Sequence, residues 1–169
     1  MVKKIIQIVD SISDWSGKIV SFLIYAGIIV LAFEVVSRHY FGAPTVWAHG
    51  YTQRIFASYF VLIGAYTLFK DAHVRVDIIH QQVSLRKRAF LDIFNYTLLL
   101  VWAAVLVYEG TDFFLYSWHI GETDEGALRH PVYPVKFFLV VGVALLFLQG
   151  ISKIVKSFIT LIRGVQYES

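Results

Sequence analysis

IVSFLIYAGIIVLAF, residues 19–33, runs for fifteen residues without an Asp, Glu, Lys or Arg. Residues 55–69, 93–108 and 137–152 share that property at fifteen or sixteen residues each. A helix needs about 20 mostly apolar residues to cross the hydrocarbon layer, and apolar or aromatic residues with isolated charges extend all four stretches. The pattern predicts an all-α integral membrane protein with four transmembrane helices, at about 18–40, 44–70, 89–116 and 134–156. Lipid offers no partner for backbone hydrogen bonds, so only helices or closed barrels cross it. The absence of period-two alternation selects helices. Pro44 and Pro134 fall where the second and fourth helices would begin, a position that tolerates a missing N–H.

The rest of the composition leaves little else to build. Of 169 residues, 57% are hydrophobic and 16% charged, against about 25% charged in a soluble domain, so the whole chain, 1–169, reads as one membrane domain. The absence of cysteine excludes disulfides, iron–sulfur clusters, thiolate zinc sites and thiol nucleophiles. Asp10 and Asp14 precede the first apolar run, and Glu34 to Arg38 follow it where a cleaved leader would have small residues, so that run is expected to persist as a helix.

Four spans place both termini and the middle loop on one side. That side carries Lys3, Lys4, Lys18, Lys70, Arg75, Arg86, Lys87, Arg88, Lys153, Lys156 and Arg163, and the other only Arg38, Arg54, Arg129 and Lys136. The positive-inside rule therefore predicts cytoplasmic termini. In residues 1–14, Ile5, Ile8, Val9 and Ile12 share one helical face and Lys3, Lys4, Gln7, Asp10 and Asp14 lie elsewhere. An amphipathic helix on the membrane surface and a frayed tail both fit that segment.

Ionisable residues inside a span need a partner or a route to water. At about 1.5 Å per residue, Glu34 and Arg54 lie at one depth, roughly 24 Å from the cytoplasmic boundary, with Glu109 and Lys136 about 26 Å up. The expectation is a charge-balanced layer under the outer surface in which Glu34 pairs with Arg54 and Arg38 competes from one turn away. Separate snorkelling into the headgroups is the alternative. Tyr51, Ile55, Tyr59, Leu62 and Tyr66 form a stripe on the second helix that points to helix packing. Trp15, Trp47 and Trp118 read as interfacial belt residues, Trp102 as a packed mid-membrane residue and Gln149 as a cross-helix hydrogen bond. No GxxxG occurs in any span.

Nothing in the chain reads as catalytic. His39, His49, His119 and His130 fall at or beyond the outer boundary and His73 and His80 in the inner loop, so none lies within a charge-free core, where the facing pair of a b-type haem is expected. No G-x-S-x-G, H-E-x-x-H or phosphate-loop motif occurs. The expectation is a non-enzyme without cofactor, metal or nucleic-acid partner. The midplane is apolar apart from tyrosines and small residues, unlike that of a secondary carrier. The inner loop holds His73-Val74-Arg75-Val76-Asp77, with polar side chains gathered at a helix end, and the basic run Arg86-Lys87-Arg88, suited to anionic lipid.

Glu34-Val35-Val36-Ser37-Arg38, Phe41-Gly42-Ala43-Pro44 with Trp47, Gly64-Ala65-Tyr66 leading into His73-Val74-Arg75-Val76-Asp77, Gly121-Glu122 and a proline-led last span together resemble the small membrane (Q) subunit of tripartite ATP-independent periplasmic (TRAP) transporters, the DctQ-like family, over about residues 19–150. The resemblance implies a scaffold subunit in the bacterial inner membrane. Its partner would be a large elevator-type subunit that moves organic acids with sodium after delivery by a periplasmic substrate-binding protein. Interface candidates on this reading are Glu34, Arg38, Trp47, Arg54, Tyr59, Tyr66, His73, Arg75 and Asp77. Family members often carry an acid just after the tryptophan, whereas Trp47 precedes Ala48, His49 and Gly50. Docking of the binding protein would then fall to Glu122, Asp124 and Glu125 in the second outer loop. A membrane cytochrome subunit and a small self-assembling channel or carrier are the competing readings.

Overall fold

The computed structural model describes residues 2–72, 83–126 and 128–165. Among these the chain is helical apart from its loops and one isolated bridge between Thr123 and Pro131. The helices are α1 (Val2–Tyr40), α2 (Ala48–Leu62), α3 (Gly64–Phe69), α4 (Leu85–Ile120) and α5 (Tyr133–Arg163). Three of them, α1, α4 and α5, are long and apolar enough to cross a membrane, which with the lengths above makes this a multi-pass membrane protein.

The second apolar stretch forms two helices instead of one. Ile63 separates α2 from α3, yet its backbone stays right-handed and its N–H still donates to Tyr59 O at 3.0 Å, while Thr67 N–H reaches Ile63 O at 3.0 Å. The axis is thus nearly continuous. Pro44 does not begin this element. Gly42 takes φ 63°, residues 41–47 form a connection, and the helix starts at Ala48. Pro134 does lie in the first turn of α5.

α1 spans 39 residues without a break, about 58 Å of rise against roughly 30 Å of hydrocarbon. The first fourteen residues are therefore neither a separate surface helix nor a frayed tail from Val2 onward. Their apolar face points away from the bundle, with Ile5, Ile8 and Ile12 exposed, while Ile6, Asp10 and Ser13 are buried. The buried series continues as Val20, Gly27 and Glu34, so Ile6, Ser13, Val20, Gly27 and Glu34 repeat at intervals of seven.

The same interval governs α4, whose buried residues are Ala89, Tyr96, Ala103, Gly110 and Ser117. A seven-residue repeat holds one narrow seam against a neighbour at a shallow left-handed crossing. Small side chains on the seam let the backbones approach, and large apolar ones turn toward lipid. α5 is the central helix and packs against every other one, whereas α4 rests chiefly on α5. Close approaches are visible at glycines. A Cβ on Gly142 would meet the Val61 carbonyl oxygen at 2.7 Å, and one on Gly17 would enter the Tyr66 ring at 2.2 Å.

Candidate functional site

Polar side chains collect at the two ends of the bundle. At the end that holds the 41–47 connection and the 121–132 loop, Glu34 is buried. Its Oε1 accepts from Arg38 Nε at 3.0 Å and Nη2 at 2.6 Å, and its Oε2 accepts from Thr45 N–H at 3.1 Å and from the Thr45 hydroxyl. The carboxylate thereby ties the last turns of α1 to the connection that leads into α2. Trp47 stacks on Phe33 with centroids 5.8 Å apart, closing the same corner. Arg38, one turn from Glu34, thus takes the place expected for Arg54.

Arg54 pairs instead with Asp124, and its other nitrogen donates to Gly50 O at 3.0 Å. Equal depth put Glu34 and Arg54 at one level, but pairing also depends on which way each helix is turned. Asp124 is the hub of the loop between α4 and α5. Its Oδ1 accepts from Gly126 N–H at 3.2 Å and His130 N–H at 3.0 Å, and its own N–H donates to His130 O at 2.9 Å. Glu122 pairs with the buried ammonium of Lys136, which also lies 3.5 Å above the Phe113 ring. Lys136 was expected level with Glu109, and its partner comes from the loop instead. The Lys136 ammonium holds the Glu122 carboxyl below its ordinary 4.5, and the Arg54 guanidinium holds Asp124 below 3.8.

At the opposite end a network joins α1 to α5. Ser13 Oγ donates to Gln149 Oε1 at 2.8 Å, and Gln149 Nε2 donates to Asp10 Oδ1 at 3.1 Å. Ser152 Oγ and Lys156 Nζ reach the two Asp10 oxygens at 3.2 and 2.6 Å. Beside it Lys153 pairs with Asp71 at 2.6 Å, while Asp14 holds Lys18 and, at 3.0 Å, Lys70. Gln149 is fully buried and makes the expected cross-helix bond. Asp10 was read from sequence only as one of the polar residues off the apolar face of Ile5, Ile8, Val9 and Ile12. The signal that could have found it is the recurrence of small or polar residues at 10, 13, 17, 27 and 34 in an otherwise bulky apolar helix.

The tyrosine stripe does not act as one surface. Tyr51 is exposed and meets His130 at 4.8 Å, Tyr59 lies edge-on to Phe60 at 5.4 Å, and Tyr66 covers Gly17 beneath Lys70. The buried face of α2 and α3 is formed by Ala48, Thr52, Ser58, Leu62, Ala65 and Leu68. Trp102, expected to be packed, is 68% exposed. His73, Arg75 and Asp77 lie outside the described residues. Glu125 is exposed in the loop that Glu122 and Asp124 hold in place.

Chemically, these groups form pinned ion pairs and hydrogen bonds that fix helix against helix and loop against helix. Among the described residues, no group of three or more His, Asp or Glu side chains could hold a metal ion. No curated protein matches the chain. A family model described as "Tripartite ATP-independent periplasmic transporters, DctQ component" matches residues 27–160.

Proposed function

Because this chain belongs to the DctQ component family of tripartite ATP-independent periplasmic transporters, a family of transporter components and not of enzymes, we propose that it is the scaffold that anchors the large transport subunit in the bacterial inner membrane. The observation that carries this reading is the division of its surface. Polar side chains are spent at the bundle ends on ties within the chain, while long apolar faces of α1 and α4 are left open. Such faces need lipid or another membrane protein against them.

In this reading α2 and α3 together make a fourth crossing, and both termini face the cytoplasm. Glu34, Arg38 and Trp47 set the angle between α1 and α2. Arg54 holds the second outer loop through Asp124, Tyr59 and Tyr66 help seat α2 and α3, and His73, Arg75 and Asp77 order the inner loop. Glu122 and Asp124 brace the outer loop from behind and Glu125 is the carboxylate it offers to the periplasmic binding protein. The cargo of the assembled transporter is an organic acid carried with sodium, and both substrate and ion are handled by the large subunit.

Affinity purification of the tagged chain from a mild detergent extract tests the scaffold role. The expected result is a stoichiometric multi-span companion, with no solute uptake by liposomes holding this chain alone. Purification without a companion, or uptake by the isolated chain, overturns it.

A further inference from the structure

The two open faces differ in chemistry. That of α1 shows lipid large apolar side chains, among them Phe22, Ile28 and Ile29, and no charge anywhere in residues 19–33. Lipid alone can cover it. α4 leaves most of its circumference free because it rests chiefly on α5, and outside its seam lie exposed Asn95, Trp102, Glu109 and Tyr116, about 100° round the helix from the buried residues that follow them, with exposed Asp112 further round on the same side. Asn95, Trp102, Glu109 and Tyr116 share one position of the seven-residue repeat, and Asp112 stands one turn from Glu109.

Depth makes the two carboxylates costly. Gly110 packs against Leu139 and Val140, one turn inward of Lys136, which puts Glu109 roughly 5 Å below the outer ion pairs. Neither Glu109 nor Asp112 is hydrogen-bonded or paired with another described residue. At the same end of the bundle, the cations Arg38, Arg54 and Lys136 are held by Glu34, Asp124 and Glu122. Ionisable groups at membrane depth face protein or water and find partners of opposite charge. Trp102, far from either helix end, is also oddly placed for lipid, since tryptophan favours the interfaces.

We infer that the outer face of α4, from Asn95 to Tyr116, is where the large membrane subunit docks, and that this partner meets Glu109 and Asp112 with lysine or arginine side chains. The inference rests on the scaffold reading and adds the face and the charge that recognition uses. Trp102 and Tyr116 supply buried aromatic contact, and the carboxylates fix register, as charged groups within apolar interfaces do.

The test co-expresses the full chain with its large subunit. A photoreactive phenylalanine analogue at Val105 should form an adduct with that subunit, and the same analogue at Ile28 should not. Glu109→Gln with Asp112→Asn should lower recovery of the large subunit about tenfold while the amount of this chain in the membrane stays unchanged. Undiminished recovery with the double variant, or an adduct from Val105 to lipid or to a second copy of this chain, overturns the inference. Failure of the wild-type chain to recover any companion would instead overturn the scaffold reading beneath it, so the two failures are distinct.

Discussion

Asp10 shows how one carboxylate can organise two helices. It accepts hydrogen bonds from Gln149, Ser152 and Lys156, all on α5, so its removal strands a cation as well as two neutral donors. Asp10→Leu should cost about 3 kcal/mol, the order found when one member of a buried pair is deleted. Asp10→Leu together with Lys156→Leu should recover most of that loss, and thermal unfolding in detergent of the wild type, both single variants and the double variant measures it. Gln149→Leu should cost less, about 1 kcal/mol, because membrane hydrogen bonds are individually modest. At the other end, Glu122 and Asp124 are held below their ordinary values of 4.5 and 3.8. A carboxyl depressed on folding stabilises above its unfolded value, and that stabilisation disappears as the pH falls through the lowered one. The outer loop should therefore stay ordered at neutral and mildly acidic pH and loosen only below the ordinary carboxylate range. Exchange protection of the Gly126 and His130 amides, corrected for intrinsic rate, reads this out, and Asp124→Asn should abolish the acid transition at those amides. The pairing of Gln149 across helices was legible from a lone amide in an apolar span. The choice of Arg38 over Arg54 by Glu34 was not, since both lay within reach in depth.

The packing rules operate on whole elements. In α1 and α4 the buried positions recur every seven residues and, Ile6, Val20 and Tyr96 apart, are filled by small or polar side chains, the reverse of a soluble amphipathic helix. Reading for apolar periodicity therefore located the apolar stretches and the exposed face of Ile5, Ile8 and Ile12, but left unread the buried face of Ile6, Asp10 and Ser13. Glycines at close helix contacts are unequal. Gly142→Ala would place its Cβ 2.7 Å from the Val61 backbone oxygen, which cannot turn aside, whereas Gly110→Ala meets only Val140 and Leu139 side chains at 3.6 and 3.7 Å. We expect Gly142→Ala to cost about 1–3 kcal/mol by overpacking and Gly110→Ala to be near neutral, compared by melting of the detergent-solubilised chains. The left-handed Gly121, at φ 60°, ends α4, and glycine is the residue that adopts this conformation without strain. Gly121-Glu122 entered the sequence reading only as part of the family resemblance, and neither this turn nor the closure of the following loop on Asp124 was read from it.

Across the whole molecule, charge and hydropathy set the orientation we propose, with both termini and residues 71–84 on the cytoplasmic side. The lack of cysteine makes single-cysteine labelling direct. Glu125→Cys should react with a membrane-impermeant maleimide in cells whose outer membrane has been opened, and Ser84→Cys only after lysis; the reverse pattern would invert the topology. Four apolar stretches, their approximate limits and their helical state follow from the sequence alone. Hydropathy accumulates locally along the chain, and lipid leaves the backbone no other way to satisfy itself. The sequence likewise carried the ordered motifs by which the family was recognised. What only the tertiary structure decided is azimuth: which side of each helix is buried, that Asp10 faces α5, that Lys136 reaches Glu122, and that Trp102, Glu109 and Asp112 are left facing outward. Depth is counted along one chain, but rotation about a helix axis is set by close approach to its neighbours, and no single segment contains that information.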